Sequence, residues 1–366
     1  MKIVISKVEL ASLASKIQSI VPVKPTLPIL GNVLLEALDD HLIMSATDLT
    51  VSIRAVARVQ VYQEGSITLP ARRLFQLVRE LTAPEVEIEC QTPEIALIRA
   101  GSSYFKIHGI HKGEFTPIPD LSQGISFIIS DHILKEMLSK TSFAAAREDN
   151  RQALNGILLQ SSSSSATFTG TDGKKLAKIY TEIATPETHN GSYIIPLKAV
   201  DEIVKLLDGE NSTSKVTLTH DKLGIESGSV TLVTKLLSGQ YPDVARIIPT
   251  RSETPIVLHR EELISLLRQV ALFTSDTSSS VRFSFELGEL RLSAVSGDIG
   301  EGKVSMAVNY QGPKLDIAFN PSYFLDILRH SKDETVQFDV SDSYNPGLVT
   351  DSSKALFVIM PMRLEV

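Results

Sequence analysis

Cysteine is nearly absent from this 366-residue chain, in which Cys90 is the one thiol. A single cysteine forms no internal disulfide and makes no half of a zinc site, so Cys90 reads as a packing residue in a reducing compartment. That points to the cytoplasm. Long apolar runs are missing as well: no stretch approaches the ~18 to 20 residues that a membrane span requires. The opening residues, Met1-Lys2-Ile3-Val4-Ile5-Ser6, alternate like a strand and lack the apolar core and cleavage site of an export signal. Nor is there a surplus of positive charge. The formal net charge is −7, from 36 basic and 43 acidic residues. This argues against a protein that simply coats nucleic acid, and any such role must localise its positive charge.

Signatures of catalysis are also lacking. The text nearest to a phosphate-binding loop, Gly170-Thr171-Asp172-Gly173-Lys174-Lys175, has the wrong spacing to cradle a nucleotide. The eight histidines include no His-Glu-x-x-His, and His108 and His111 stand without a cysteine or carboxylate cluster, so no metal or other cofactor is expected. No Gly-x-Ser-x-Gly elbow occurs. Asp48, Asp172 and Asp298 could suggest a metal-dependent phosphoesterase, because carboxylates bind the magnesium of phosphoryl transfer. They occupy equivalent places in three repeats, however, and aspartate at a strand-ending turn is ordinary local hydrogen-bonding chemistry.

What the chain does contain is a threefold repeat of about 125 residues. Its 366 residues, 43% hydrophobic and 22% charged, suit two or three soluble domains. Each copy opens with a strand and an amphipathic helix: Ile3 to Ile5 then Lys7 to Val21, Phe127 to Ile129 then Asp131 to Arg147, and Pro255 to Leu258 then His259 to Thr274. A hairpin follows at Leu30 to Ala46, Leu154 to Gly170 and Val281 to Ala294, ending in the three acidic turns. Next comes a strand running into Pro70, Pro196 or Pro321, which lie 126 and 125 residues apart. Proline suits a helix start because its φ is pre-set, and second helices are expected at Arg72 to Leu81, Leu197 to Asp208 and Pro321 to Lys332. Strands at Val86 to Glu89, Val216 to Thr219 and Val336 to Val340 precede closing strands at Tyr104 to His108, Ser229 to Lys235 and Leu356 to Ile359. The fold class is α+β, three repeated domains each with two helices on antiparallel sheets. The polar linkers place them at residues 1–124, 125–252 and 253–366.

The six expected helices together carry net positive charge, through residues such as Lys7, Lys16, Arg72, Arg73, Arg79, Arg147 and Lys332, and the remainder is more acidic than the total. A surface made of these helices would attract phosphates without regard to sequence. Solvated helix faces with no partner would give the same pattern.

Several strings carry a more specific signal: Lys24-Pro25-Thr26-Leu27-Pro28-Ile29-Leu30-Gly31-Asn32, Leu154-Asn155-Gly156, Thr171-Asp172-Gly173, Tyr241-Pro242-Asp243 and Met360-Pro361-Met362-Arg363-Leu364. With these in register the whole chain resembles the bacterial DNA polymerase III beta subunits, the sliding clamps. The resemblance implies a non-catalytic processivity factor, two chains closed head-to-tail into a ring, with twelve helices around encircled double-stranded DNA. It implies as partners a clamp loader, the polymerase III alpha subunit, and other polymerases or repair proteins that bind through short peptides.

Carried over position by position, the resemblance assigns DNA contact to Lys24, with Arg72, Arg73, Arg79, Arg147 and Arg151 as further candidates. It assigns ring closure to Phe105 and Ile107 against Leu272 and Phe273. The peptide cleft becomes Leu154, Thr171, Gly173, Lys175, Leu176, Pro242, Arg246, Ile247, Val358, Met360, Pro361, Met362 and Arg363. Methionine suits a surface that accepts many related peptides, being flexible and polarizable. The chain departs from the family pattern in two places. Arg151-Gln152-Ala153 lacks the paired aromatics of some members, and Glu365-Val366 extend the tail beyond Leu364. A protein-only repeat scaffold is the competing reading.

Overall fold

The computed structural model describes residues 1–184, 190–207, 212–275 and 279–364. In the first repeat the order is β1 (Lys2–Ser6), α1 (Lys7–Gln18), β2 (Asn32–Leu38), β3 (His41–Thr47), β4 (Val51–Arg58), β5 (Gln60–Gln63), β6 (Gly65–Pro70), α2 (Ala71–Glu80), β7 (Glu85–Thr92), β8 (Ile95–Ala100) and β9 (Ser103–His108). The second has β10 (Ile125–Ser130), α3 (Asp131–Ser142), β11 (Gly156–Ser161), β12 (Ser165–Thr171), β13 (Lys175–Glu182), β14 (Gly191–Pro196), α4 (Leu197–Leu206), β15 (Thr213–Leu218), β16 (Lys222–Ser227) and β17 (Val230–Lys235). The third has β18 (Ile256–His259), α5 (Arg260–Ala271), β19 (Val281–Glu286), β20 (Glu289–Ser296), β21 (Gly300–Ala307), β22 (Leu315–Phe319), α6 (Pro321–His330), β23 (Thr335–Asp339), β24 (Gly347–Thr350) and β25 (Ala355–Ile359). Only β5 has no counterpart among the described strands of the other two repeats.

All three first helices end earlier than their apolar spacing suggests, and for one reason. Beyond Gln18, Ser142 and Ala271 the chain tightens into bonds that reach back three residues, as in Val21 N to Gln18 O at 3.2 Å, Ala145 N to Ser142 O at 3.3 Å and Thr274 N to Ala271 O at 3.2 Å. Such a tightened last turn satisfies end carbonyls while keeping the side chains near their helical spacing. Asp208, where the expected fourth helix ends, lies outside the described residues, as do Glu365 and Val366. Pro321 takes the first helical position of α6. Pro70 and Pro196 instead close β6 and β14 one residue before α2 and α4.

The first residue of each first helix is tied to the end of the second helix or to the segment that follows it. Lys7 donates its ammonium to Leu81 O. Arg260 donates Nε to Asp333 O at 2.8 Å and Nη1 to Leu328 O at 3.3 Å. Cations suit these helix C-terminal carbonyls. The second repeat uses an anion instead: Asp131, 1% exposed, accepts from the hydroxyls of Ser212, Ser214 and Ser227 at 2.6, 2.5 and 3.0 Å. Hydrogen bonds to a charged group contribute more than neutral ones, and a buried orphan is costly. Asp131→Ala should therefore lower stability by about 3 kcal/mol, read as a lower urea midpoint at unchanged slope. An unchanged midpoint would show that the three serines find other partners.

The strands divide into four antiparallel sheets, ordered β5-β1-β7-β8-β9, β10-β15-β16-β17-β4-β3-β2-β6, β14-β11-β12-β13-β25-β24-β23-β18 and β21-β20-β19-β22. Each repeat contributes two half-sheets, and at two places halves from successive repeats are zipped by a full ladder. One seam is β17 on β4, from Val230 opposite Ala55 to Thr234 opposite Val51. The other is β25 on β13, from Ala355 opposite Ile179 to Ile359 opposite Lys175. Across these repeats the chain gathers into two compact units, each built around one seam. One holds Met1–Lys135, Ile183–Thr188 and Lys198–Leu237; the other holds Glu136–Glu182, His189–Leu197 and Ser238–Val366.

Within the first unit α1 packs on α2, β3 and β4; within the second α5 packs on α6, β20 and β21. Both units have apolar cores. In the second, Phe283, Phe319, Phe324 and Phe338 are fully buried, and their ring centroids lie 5.2 to 5.9 Å apart. The segments after β9 and β25 cap neighbouring sheet edges at equivalent places: Ile110 bridges Thr68 on β6, and Met362 bridges Ala318 on β22.

Candidate nucleic-acid and peptide interfaces

Of the six strands that stand at seam positions, β4, β17, β13 and β25 are paired, while β9 and β21 end their sheets. Beside β9 runs a groove of about 880 Å³, walled by Arg73, Leu77 and Glu80 of α2 and by Tyr104, Phe105 and Ile107 of β9. Phe105 is half-buried and Ile107 is 9% exposed. On the other free edge, Leu272 is 73% exposed one residue past α5. Phe273 packs on β21, where a Cβ on Gly302 would fall 2.5 Å from its ring.

The β13–β25 seam shows what such a position is for. Phe143, one residue past α3, stacks on His330 of α6 with ring centroids at 4.2 Å and lies 5.9 Å from Phe357 of β25. Leu272 stands where Phe143 stands. The groove beside β9 offers Glu80 and Phe105 where that seam offers His330 and Phe357.

The residues assigned to a peptide cleft all fall in the second unit and separate into a floor and a rim. Leu154, Leu176 and Val358 are each 1% exposed. Leu176 and Val358 cluster with Leu348 beneath Val244, Ile248 and Leu356. Thr171 turns inward, donating to Lys175 O at 2.7 Å and accepting from Gly173 N at 3.0 Å. Gly173, at φ +85, holds the left-handed conformation that this turn requires. Lys175 is 8% exposed and committed: its ammonium lies 3.0 Å from Asp326 and 4.9 Å from the ring centroid of Tyr323. Arg246, Ile247 and Met360 line a cavity of about 720 Å³ together with Ile248, Pro249, Tyr344 and Pro346. Pro242 and Arg363 are exposed, and Pro361 and Met362 half-buried. Arg246 stands 3.5 Å from Asp243. The tail is pinned by Met360 N to Lys174 O at 2.9 Å and Met362 N to Ala318 O at 2.7 Å.

Sequence reasoning passed over Tyr344, which is 89% exposed on the wall of this cavity. The available signal was an aromatic inside the turn Asp342-Ser343-Tyr344-Asn345-Pro346, whose Asp342 Oδ1 accepts from Tyr344 N and Asn345 N at 2.8 Å each. Two residues inside the quoted strings carry no assigned role: Lys174, exposed beside Gly173, and Tyr241, whose hydroxyl donates to Thr169 O at 3.2 Å. Burial pushes the Tyr241 phenol well above its usual range.

The cationic candidates do not form one uniform set. Lys24 is exposed on a loop braced by Pro22, Pro25 and Pro28, and Arg72, Arg73 and Arg79 are exposed on α2. Arg147 is exposed too, but it and Lys332 lie outside the helices. On the observed bounds, positive charge exceeds negative only on α1 and α2; Lys, Arg, Asp and Glu balance on each of the other four helices. Arg151 is engaged by Asp149, to which it donates its backbone N–H at 2.8 Å, Nε at 3.0 Å and Nη2 at 2.9 Å. That hydrogen bonding holds the Asp149 carboxyl far below the usual range, at about 2. The pair therefore persists through the ordinary carboxylate range and is lost only as pH falls through about 2.

The three acidic turns are not fully equivalent: Asp48 and Asp172 directly follow Thr47 and Thr171, whereas Asp298 lies three residues past Val295 in a longer turn, and the first two are accounted for locally. Asp48 Oδ1 accepts from Thr50 N and Val51 N at 2.8 and 2.7 Å, and Asp172 Oδ1 accepts from Lys174 N and Lys175 N at 2.8 and 2.9 Å. Asp48 also pairs with Lys198 of α4 beside the β4–β17 seam.

Comparison with known proteins agrees along the whole chain. Family profiles of the DNA polymerase III beta subunit match its N-terminal domain at residues 1–119, its central domain at 128–243 and its C-terminal domain at 245–363. The beta sliding clamp of Chlamydia muridarum is 51% identical over 364 residues, covering 100% of this chain and 99% of that protein. That of Escherichia coli K12 is 30% identical over 345 residues, covering 93% and 94%. The crystal structure of the DNA polymerase III subunit beta from Pseudomonas aeruginosa superposes with a TM-score of 0.96 at 28% identity over 100% of both chains. A Pseudomonas aeruginosa sliding clamp bound to griselimycin gives 0.95 at 29%, also over 100% of both.

Proposed function

The chain belongs to the DNA polymerase III beta subunit family, the sliding clamps, and from that premise we propose how its surfaces divide the work of a processivity factor. Two copies close head-to-tail around double-stranded DNA, and polymerases dock on the outside through short peptides. The observation that carries this reading is the pair of free seam strands, β9 and β21, on a chain whose other seam strands are zipped. A heterologous contact of this kind closes into a ring when the rotation allows. Residues 1–124, 125–252 and 253–366 serve as its three domains.

The internal seams also suggest the register of closure. Ile53, Ala177 and Gly302 each follow the residue that faces Thr47, Thr171 or Val295 across its hairpin. In the two seams Leu232 lies opposite Ile53 and Phe357 opposite Ala177. Phe105 of one copy then falls opposite Gly302 of the other, against Phe273. Lys106 falls opposite Glu301, and Leu272 enters the groove lined by Ile107. An aromatic opposite glycine and a cation opposite a carboxylate are both favourable cross-strand pairs.

DNA is held by charge alone, through Lys24, Arg72, Arg73, Arg79 and Arg147, with no step of catalysis. Such contacts carry no sequence information and weaken with salt. A loader opens the ring, and the polymerase III alpha subunit, other polymerases and repair proteins take the cleft around Met360 and Met362 by turns. No described helix is long and apolar enough to cross a membrane. Burial pushes the Cys90 thiol up to about 11, which suits an unreactive thiol in the cytoplasm. The test is retention on DNA. Loaded onto a closed circle, the dimer should remain through gel filtration and be lost once the circle is cut; a protein-only scaffold would be retained on neither.

A further inference from the structure

The cavity that holds Arg246, Ile247 and Met360 does not end at the cleft. Ser252, Asp339 and Val340 line it and also line a second cavity of about 590 Å³, which runs on to Pro255, Tyr310 and Gln311. That second lining contains no lysine, arginine or histidine, and Asp339 is its one acid. Asp339 is 6% exposed, and among the described residues its carboxylate takes a single hydrogen bond, from Ser252 N to Oδ1 at 3.0 Å. A buried charge is ordinarily paired, and one left short of partners calls for an explanation. Strand pairing supplies none. Thr217 of β15 faces Gly224 as Asp339 of β23 faces Leu348, and Gly224 and Leu348 in turn face Val233 and Val358, so Asp339 stands where the second repeat has Thr217. Thr217 shares a 2.9 Å hydrogen bond with Ser126, its partner on β10. In the third repeat the place of Ser126 falls to Pro255, next to the Ile256 that faces Phe338, and proline has no N–H to give.

Resting on the peptide-cleft reading above, we propose that the second cavity extends the cleft and that Asp339 there receives the ammonium of a lysine side chain on the bound peptide. The apolar anchors fill the cavity at Met360, and the lysine stem passes Ser252 and Val340 into the neighbouring one. An ammonium on a flexible four-carbon stem carries three rotatable donors, and it is drawn to a carboxylate and to an aromatic face alike. Tyr310 supplies the aromatic face. Its ring is folded over Gly312, where a Cβ would lie 2.7 Å from Cζ, and its hydroxyl donates to Pro313 O at 2.7 Å. Burial raises the Tyr310 phenol, so the ring brings no charge of its own. Arg246, the cation lining the first cavity, stands 3.5 Å from Asp243 and leaves Asp339 to the ligand.

The experiment uses the full-length dimer and four synthetic peptides with the same leucine and aromatic anchors, carrying lysine or glutamine either before or after them. Fluorescence anisotropy reads their affinities. At one of the two ends lysine should bind about five- to tenfold tighter than glutamine, and the margin should shrink as salt rises. Asp339→Asn, whose amide oxygen still accepts from Ser252 N, should erase the margin and leave the glutamine peptides unchanged. Gln311→Lys, on the exposed rim, leaves Asp339 untouched and should cut the same margin by placing a competing ammonium at the cavity. Lysine and glutamine binding equally at both ends of the unaltered dimer would overturn the assignment and leave the cleft standing. So would a lysine margin that survives both variants, or an Asp339→Asn protein that weakens all four peptides alike, the mark of a merely structural carboxylate. If none of the four binds the unaltered dimer, the cleft reading falls together with its extension.

Discussion

Leu272→Asp is expected to leave a folded chain of 40.0 kDa in place of the dimer, visible as native mass. In the free chain Leu272 is 73% exposed, so the substitution costs little there. Closure would carry the new carboxylate into the groove lined by Leu77, Glu80 and Ile107, desolvated and beside a like charge. An uncompensated buried charge costs about 3 to 5 kcal/mol, and each 1.4 kcal/mol is tenfold in affinity, so the dimer should weaken more than about 100-fold. Phe105→Asp should act similarly from the opposite edge. Retention on circular DNA should vanish in both, while peptide affinity in the cleft stays near that of the unaltered chain. A stable dimer in both variants would refute the closure assignment.

Ending the chain at Ile359, which removes Met360–Val366, should abolish peptide binding and spare the dimer, since neither β9 nor β21 contains these residues. Central apolar anchors of an interface typically carry 2 kcal/mol or more each, so a loss of about 100-fold is expected. The tail also has a structural duty, because Met360 N and Met362 N donate to Lys174 O and Ala318 O. Met360→Asn and Met362→Asn keep those backbone bonds while removing the apolar side chains, and should lose most of the same affinity. Truncated protein that binds peptide as before would remove the cleft from this part of the surface.

The elements most legible in the sequence were those whose side chains alternate or recur on a single face. Pro70, Pro196 and Pro321 marked strand-to-helix corners, and the hairpins and closing strands fell within a few residues of their expected places. The third strand of each hairpin leaves no such signal, and for β21 the cause is visible: six of its eight residues carry small or charged side chains, and Met306 alone is buried. A strand whose partner lies in another repeat, or in another copy, has no local pattern to announce it. Apolar spacing carries the first helices too far because Ile20, Val21, Ala144 and Ala145 are buried in turns that imitate helical spacing.

The candidate sites were legible only as strings. Nothing local in Thr171-Asp172-Gly173-Lys174-Lys175 says that Lys175 turns in toward Asp326 while Lys174 faces out. That division follows from strand pairing across a seam. The charge pattern was likewise coarser than the molecule: it spread over six expected helices, whereas the excess resides on α1 and α2.

The zipped seams bear on how the molecule melts. The strands of the second repeat are divided, β10, β15, β16 and β17 into one eight-stranded sheet and β11, β12, β13 and β14 into the other. Neither half can lose its ladder without exposing the edge of a neighbouring repeat. The cooperative block of unfolding is therefore the shared sheet and not the repeat. The sequence repeats in thirds, and heat should take the chain apart in halves.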